Sequence, residues 1–244
     1  MNIAEVKRSD ISILVPCYNC ATTLKRAVDS VLNQPGVNIE IILIDDASTD
    51  DTGTLIDELA QRYANISAIH RPENGRIAAA LNDGATMAVG RYIMRLDADD
   101  WLEKGCLARM LAAIEANPKV GFVYGCRKYY GRRSDTYTPK PFNRADFDVH
   151  NAAGYCYLFR RDVWDMGIRW EALGTFGGAI IDLEDWQHLL KMMNAGLEGM
   201  ALPDTLVLHY TFGWTGTWQE LKANEGAALA ELKRRFPSVK AVNL

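Results

Sequence analysis

The chain has 244 residues, a net charge of −4 and a hydrophobic fraction of 48%. This length suits one large domain or two fused halves, and the composition is ordinary for a soluble globular protein. The acidic balance argues against a nucleic-acid-binding protein. No apolar stretch approaches the roughly 18 residues that a membrane helix needs, and residues 1–5 carry no signal-peptide pattern. We therefore expect a cytoplasmic protein, with peripheral contact at the inner face of a membrane left open.

The first 100 residues alternate between apolar runs and amphipathic segments. Short runs rich in β-branched residues predict strands, and apolar residues at a 3.6-residue period predict helices. The predicted strands are 10–15, 39–44, 66–70 and 91–96, and the predicted helices are 21–32, 50–63 and 77–89. This alternation predicts an α/β fold with a parallel sheet and helices on both faces. Ligands of such sheets bind at the carboxyl ends of the strands, and all four ends here are polar or rich in turn residues.

The second half of the chain is less regular. The patterns predict helices at 106–116, 183–195 and 218–236, a helical start at 101–103, and strands at 121–125, 155–159 and 201–210. Residues 127–150 begin as a basic and aromatic segment with weak periodicity, which indicates a functional or mobile segment. Its charge suits an anionic glycan, a lipid-linked diphosphate or a membrane surface.

Five cysteines, an odd number, are scattered along the chain, so we do not expect a disulfide framework. Cys17 and Cys20 form a C-x-x-C pattern, but a zinc site would need a second pair at similar spacing, which the sequence lacks. A redox pair is the alternative to small residues at a strand-to-loop corner, the interpretation that we favour.

Two aspartates, Asp97 and Asp99, follow the fourth predicted strand. Carboxylates one residue apart at the end of a buried strand are costly unless something neutralises them. Oxygen-only ligation with open positions suits Mg²⁺ or Mn²⁺ holding a diphosphate. The alternative is that the aspartate run caps the next helix. Both hold if Asp100 is the cap while Asp97 and Asp99 face the metal.

Four motifs occur in order: Val15-Pro16-Cys17-Tyr18-Asn19, Ile44-Asp45-Asp46-Ala47-Ser48-Thr49-Asp50, Asp97-Ala98-Asp99 and Leu183-Glu184-Asp185-Trp186. Together they resemble the inverting glycosyltransferases of family 2, which have the GT-A fold, over about residues 10–215. The resemblance implies a Rossmann-like, mostly parallel sheet with helices on both faces and a smaller mixed region on the acceptor side. It also implies one domain over 1–244, with a nucleotide-binding half at about 10–100, an acceptor half at about 101–215 and a terminal helix and tail at 216–244.

The resemblance also implies a site for a nucleoside diphosphate-sugar. Pro16 and Tyr18 would lie at the nucleoside, and Asp46 would accept a hydrogen bond from a uracil-type N–H, which favours UDP. The alternative for 45–50 is a turn and helix cap. Arg76 would contact the nucleotide. A cation at a helix start is unfavourable for the helix dipole, so it suggests an anionic neighbour such as the diphosphate or Asp97, unless Arg76 is only solvated.

The metal, Mn²⁺ or Mg²⁺, falls on Asp97 and Asp99 by the same resemblance. Asp99 is the better candidate for direct ligation, and Asp97 could bind the ribose or the metal through water. His209 is a candidate third ligand, although a histidine at a strand end is often structural.

Asp185 matches the family's catalytic base, at the start of a helix where the dipole favours the ionised form. Its alternative role is a helix cap. Glu184 is expected to contact the acceptor or orient the loop, and Trp186 is expected beneath an acceptor sugar or in the core. The glycine-rich segment 174–178 could close over the donor or be a tight turn.

The predicted reaction is sugar transfer from the donor to a hydroxyl of a glycan or lipid-linked acceptor. Two alternatives remain: a catalytically silent sugar-nucleotide or glycan-binding module of the same fold, and a sugar nucleotidyltransferase. A sugar nucleotidyltransferase would be expected to have a glycine-rich phosphate loop after the first strand, where this chain has Pro16-Cys17-Tyr18-Asn19. A dinucleotide-dependent oxidoreductase would need G-x-G-x-x-G there, which is absent. The sequence does not indicate the oligomeric state.

Overall fold

The structure, a computed structural model, describes residues 9–131, 134–211, 221–241 and 244, without the side chains of 206 and 208–211. The strands are β1 (Ile11–Cys17), β2 (Ile39–Asp45), β3 (Ile66–His70), β4 (Tyr92–Arg95), β5 (Trp101–Leu102), β6 (Val120–Gly131), β7 (Thr136–Tyr137), β8 (Tyr157–Arg160), β9 (Gly174–Phe176), β10 (Ala179–Ile181) and β11 (Glu198–Thr211). The helices are α1 (Leu24–Leu32), α2 (Thr52–Arg62), α3 (Arg76–Met87), α4 (Cys106–Glu115), α5 (Arg144–Phe147), α6 (Arg161–Asp165), α7 (Glu184–Asn194) and α8 (Glu225–Arg235).

One mixed sheet runs through both halves of the described chain, in the order β3-β2-β1-β4-β8-β6-β11-β5, with β7 paired to β6. The first four strands are parallel, and their register aligns Ile11 with Ile39 and with Tyr92. Strand β8 is antiparallel to both β4 and β6, whereas β11 is parallel to β6. This confirms the predicted α/β fold with a mixed region on its second side.

Helices cover both faces of the sheet because the strands are apolar on both faces. Successive side chains of β1 point to opposite faces, so Ile13 packs with α1, α2 and α4, while Leu14 packs with α3 and the aromatic residues of the second half. In the described residues, no helix is both long and apolar enough to cross a membrane.

Two predicted elements of the second half differ in the structure. Residues 101–102 form β5, antiparallel to β11, and α4 begins only at Cys106, so the helical start predicted at 101–103 is wrong. Strand β6 continues to Gly131 because its polar part pairs with β11 and β7. The first residues of the helix predicted at 218–236 lie outside the described residues.

Candidate active site

The loops after β1 and β2 are tied together at the carboxyl edge of the sheet. The Asn19 N–H donates to Ser48 Oγ at 3.1 Å, and Asn19 Oδ1 accepts from the Thr49 N–H at 2.8 Å. Asn19 and Ala47 both have positive φ angles, 51° and 59°. Such strained backbone persists only where surrounding contacts fix it. These contacts hold Tyr18, which is 53% exposed, next to Pro16 of β1 at the predicted nucleoside position.

Asp46 is buried beside a cation. Its Oδ1 accepts from the Arg71 guanidinium and, at 3.0 Å, from the Gly75 N–H. A Cβ on residue 75 would lie 2.3 Å from Arg71 Nη1, so a larger residue there would force the Arg71 guanidinium to move. Both contacts of Asp46 within the described chain use Oδ1, and Oδ2 is therefore the oxygen that could accept from a base edge.

The neighbouring Asp45 braces the loop. Its Oδ1 accepts from the Ser48 N–H at 2.9 Å, and its Oδ2 lies 3.2 Å from His70 Nδ1. The other ring nitrogen of His70 lies 2.9 Å from Asp57 Oδ1. Burial lowers the pKa of His70, but the hydrogen bonds to Asp57 and Asp45 outweigh it and raise this pKa above its ordinary value. The histidine thus joins β2, β3 and α2 below the site.

Arg76 opens α3 with a positive φ of 65°. Its Nε and Nη2 donate to Asp182 Oδ2 at 3.1 and 3.0 Å. The predicted anionic neighbour therefore exists, but within the protein it is Asp182 and not Asp97. This ion pair links the first half of the chain to the loop that precedes α7.

Arg95, at the end of β4, connects two of the acidic motifs. It donates to both oxygens of Asp97, at 2.6 and 3.0 Å, and to Glu184 Oε1 at 2.5 Å. Its guanidinium also lies 4.6 Å from the Tyr155 ring centre. Burial works against the charge, but the two carboxylates hold the pKa of Arg95 well above its usual range. Arg95 and Glu184 are 89 positions apart in sequence, so the fold itself assembles this cluster.

Asp100 is not a helix cap, because no helix begins there. It is 1% exposed and accepts a hydrogen bond from the Tyr155 hydroxyl. Asp99 is exposed, and its backbone carbonyl accepts from Arg26 Nη2 at 2.7 Å. The two residues therefore differ in role: Asp99 lies at the surface of the crevice, and Asp100 anchors its base.

The aspartate cluster fits a hard divalent cation. Ligand oxygens of Asp97, Asp99 and Asp100 lie within 4.8 Å of one another. An all-carboxylate set is the donor type that Mg²⁺ and Mn²⁺ take. Arg95 occupies one direction on each oxygen of Asp97, and a carboxylate has about four acceptor positions, so ligation is still possible.

Asp185 lies in the first turn of α7, after Leu183, which has a φ of 48°. Its Oδ2 accepts from Asn151 Nδ2 and its Oδ1 from the Trp186 N–H, both at 2.8 Å. Burial raises the pKa of Asp185, although the Arg95 charge and the Trp186 N–H oppose this effect. The result is a carboxylate held in one orientation and more basic than an ordinary aspartate.

The two neighbours of Asp185 are less accessible than an acceptor-binding role requires. Glu184 is 6% exposed, and burial raises its pKa to about 7 against the opposing charge of Arg95. Trp186 is 3% exposed, and its indole N–H donates to the Phe147 carbonyl at 2.8 Å. In the structure Glu184 is therefore held by Arg95 and Trp186 packs in the core, and contact of either residue with the acceptor stays a prediction.

Two further predicted features can be placed. His209 lies in β11 opposite Tyr129, but its side chain is outside the described part, so ligation stays a prediction. Segment 174–178 belongs to the β9–β10 hairpin, whose turn residues Gly177 and Gly178 have φ angles of 54° and 85°. Two consecutive positive φ angles are typical of a type I′ hairpin turn, which matches the tight-turn interpretation.

Several residues that build the site carry no motif: Arg71, Arg95, Asn151, Tyr155 and Asp182. The alternation of β4 offered one signal, since Arg95 and Asp97 are two positions apart, the spacing that puts side chains on one side of an extended chain. The cysteines of the C-x-x-C pattern are both free, with Cys17 buried in β1 and Cys20 partly buried. The redox alternative stays untested.

A mixed α/β sheet with acidic motifs gathered at the carboxyl edge of its strands defines a protein of the GT-A glycosyltransferase class. The family model described as glycosyl transferase family 2 matches residues 12–167, and the chain belongs to this family.

Curated relatives agree with this assignment. The chain is 38% identical over 190 residues to the chondroitin synthase of Pasteurella multocida (strain Pm70) and to the hyaluronan synthase of Pasteurella multocida. It is 36% identical over 131 residues to the uncharacterized glycosyltransferase EpsJ of Bacillus subtilis (strain 168), covering 53% of this chain and 37% of that one. The match to each synthase covers 76% of this chain but spans only 19% of the relative's length.

Solved structures show the same fold at low sequence identity. Residues 1–349 of S. aureus TarS in complex with UDP-GlcNAc align with a TM-score of 0.70 and 16% identity, covering 92% of this chain and 66% of that one. The mannosyltransferase PcManGT from Pyrobaculum calidifontis, in complex with GDP-Man and Mn²⁺, aligns with a TM-score of 0.65 and 19% identity, covering 84% and 57%.

Proposed function

We propose that the chain is an inverting glycosyltransferase that moves a sugar from a nucleoside diphosphate donor, with UDP favoured, to a hydroxyl of a glycan or lipid-linked acceptor. The observation that carries this proposal is the bridge made by Arg95. Through Asp97 and Glu184, Arg95 brings the leaving-group carboxylates and the base-bearing turn to one edge of the sheet. An inverting displacement needs these two functions on opposite sides of one reacting carbon.

Asp185 is the proposed general base. Its carboxylate is fixed by Asn151 and by the Trp186 N–H, so it can accept the proton of the acceptor hydroxyl without reorganising. Its raised pKa brings the base nearer to the operating pH, which favours proton transfer. Its place in the first turn of α7 favours the ionised form.

Asp99, Asp97 and Asp100 are the residues that would hold Mn²⁺ or Mg²⁺, with His209 as a further candidate. The metal, when bound, neutralises the charge that develops on the departing diphosphate. Tyr18 is exposed to pack against the nucleoside, and Asp46 Oδ2 is the proposed acceptor for a uracil N–H. Arg76, held by Asp182, is the proposed contact for the nucleotide.

The test is calorimetric titration of UDP, dTDP, GDP and CMP, with Mn²⁺ and again with EDTA. Tight, Mn²⁺-dependent binding of UDP supports the proposal, and binding of another nucleotide corrects only the base assignment. No binding of any nucleotide would argue against the donor site and favour a silent glycan-binding module.

The substitution Asp99→Ala should remove the Mn²⁺-dependent part of the UDP affinity. Asp165→Ala, at an exposed aspartate in the last turn of α6, is the matched control and should bind like the wild type. UDP affinity that is unchanged in Asp99→Ala would move the metal site elsewhere.

A further inference from the structure

Arg127, on β6, forms no ion pair within the described part of the chain, although it lies near enough to Asp185 for its charge to lower the pKa of that carboxyl. Arg71, Arg76 and Arg95 are each paired with at least one carboxylate. Arg127, by contrast, makes no ion pair or hydrogen bond with its side chain in the described part of the chain, and its Nε is buried without a partner. Its guanidinium lies instead on the Tyr137 ring, 4.3 Å from the ring centre.

This arginine lies beside the proposed base. A Cβ on Gly154 would come within 2.3 Å of Arg127 Nη1, so the guanidinium packs directly on the backbone of residue 154. The Gly154 N–H donates to Asn151 Oδ1 at 2.9 Å, and the same Asn151 side chain donates to Asp185. One loop, residues 151–154, therefore contacts both the unpaired cation and the base.

A cavity of about 240 Å³ adjoins this loop. It is lined by Tyr124, Tyr137, Thr138, Pro139, Lys140, Asp146, Phe147, His150 and Ala152. Tyr137 is shared, since its ring lines the cavity and also carries Arg127, and its hydroxyl donates to the Ala152 carbonyl at 3.2 Å. The volume is below the roughly 300 Å³ at which pockets for drug-sized ligands begin, so it suits one sugar residue. Aromatic walls with a few polar groups are the lining that a sugar ring needs.

We propose that Arg127 binds an oxyanion, a carboxylate or a phosphate, on the acceptor glycan and thereby selects an acidic acceptor, with one acceptor sugar in the cavity beside Tyr137. The inference rests on the proposed function, because it assigns the acceptor side of that same site. The planar guanidinium can donate two parallel hydrogen bonds to either oxyanion, and it is preorganised by the tyrosine ring. An anion bound at the terminal guanidinium nitrogens would balance the charge of Arg127 and hold the acceptor next to Asp185.

The test measures the binding of glucose, glucuronate and glucose 6-phosphate to the full chain saturated with UDP and Mg²⁺, by ligand-observed NMR titration. The wild type should bind at least one of the two anionic sugars about tenfold more tightly than glucose, and which one identifies the oxyanion. Arg127→Gln should abolish this preference, and Arg127→Lys should retain part of it.

Arg62→Gln is the matched control. Arg62 also lies on a tyrosine ring, at 5.4 Å from Tyr63, but in the last turn of α2, at the opposite end of the sheet. This variant should keep the wild-type preference. Equal binding of the three sugars to the wild type, or an undiminished preference in Arg127→Gln, overturns the inference. UDP titration of the same samples separates the two proposals: if UDP binds while no anionic sugar is preferred, only the acceptor inference fails.

Discussion

Arg95 positions more of the acidic side chains of the site than any residue of the four motifs does. Taking charges out of water costs several kcal/mol per ion, and the penalty is offset only where partners are close and well oriented. Arg95 meets this condition with two carboxylates, and it fixes the direction of Asp97 and of the turn that bears Asp185. The same side chain therefore stabilises the fold and positions the acidic groups.

Replacement of Arg95 by glutamine should destabilise the protein by about 3–5 kcal/mol, because it leaves two carboxylates without their buried partner. Arg91→Gln provides the matched comparison. Arg91 also pairs with two carboxylates, Asp10 and Glu115, but at the surface. Its replacement should lower the free energy of unfolding by only about 0–1 kcal/mol. Urea denaturation of both variants measures the difference, and equal losses would mean that burial does not govern these pairs.

The substitution Asp185→Asn should lower turnover by about 10²–10⁴-fold, since an amide of the same shape cannot accept the acceptor proton. UDP affinity should stay close to that of the wild type, because the proposed base contacts the acceptor and not the nucleotide. Initial rates and calorimetry on the same preparation give the two readouts. Full activity in this variant would refute the base assignment.

At the scale of elements, the first half of the chain was predicted more completely than the second, where the predicted α4, α7, β8 and β11 are present but the shortest elements were missed. Strands β1 to β4 lie in apolar runs that are long enough to be recognised as strands, and turn residues mark the end of each run. Elements such as β5, β7 and α5 have only two to four residues. This is too few for the period of a strand or of a helix to be visible in the sequence. Asp100 shows the same limit of sequence analysis. The sequence of an aspartate that caps a helix does not differ from that of an aspartate that accepts a hydrogen bond from a distant tyrosine hydroxyl.

Helix α8 supports the turn that presents Asp185. Arg235 donates to Gln187 Oε1 at 3.0 Å and to the Leu173 carbonyl at 2.6 Å. Gln187 in turn donates to the Asp182 carbonyl at 3.0 Å. The basic end of this helix, Lys233-Arg234-Arg235, therefore has one arginine directed into the protein.

Arg235→Gln should reduce turnover about tenfold or more with little change in UDP affinity, because small displacements of a catalytic group are costly. Arg234→Gln is a close control. Both arginines pair with Glu231, but among the described contacts only Arg235 reaches the Asp185 turn. Steady-state rates of the two variants test whether α8 positions Asp185. Equal effects would mean that α8 only stabilises the protein in general.

The molecule as a whole shows why the site could be predicted only in part. The motif residues lie at strand ends, and the rule for parallel sheets brings these ends together. The pairs that connect them, Arg76 with Asp182 and Arg95 with Glu184, are 106 and 89 positions apart. Hydrophobic periodicity in the sequence cannot predict such pairs, because they depend on how the strands of the second half join the sheet formed by the first half.

Global stability should depend on pH through His188, which is fully buried on α7 between aromatic rings. Its Nδ1 lies 2.7 Å from the Tyr157 hydroxyl, and its ring stacks on Trp170 with centres 4.4 Å apart. Burial, with Lys191 and Arg169 nearby, lowers its pKa to about 3. The folded chain therefore keeps this histidine neutral, whereas the unfolded chain protonates it at about pH 6.5.

The sign of the dependence follows from proton binding. Below about pH 6.5 the unfolded state takes up a proton that the folded state refuses, so the free energy of unfolding falls by up to about 1.4 kcal/mol per pH unit on acidification. His188→Phe keeps an aromatic ring in the stack and removes this proton. Urea denaturation from pH 7.5 to 4.5 should show a slope smaller by about one proton in the variant, with the pH 7.5 value giving the cost of repacking alone. An identical slope in both proteins would show that His188 titrates alike in the folded and unfolded chains, which its enclosure by Trp170 and Tyr157 does not allow.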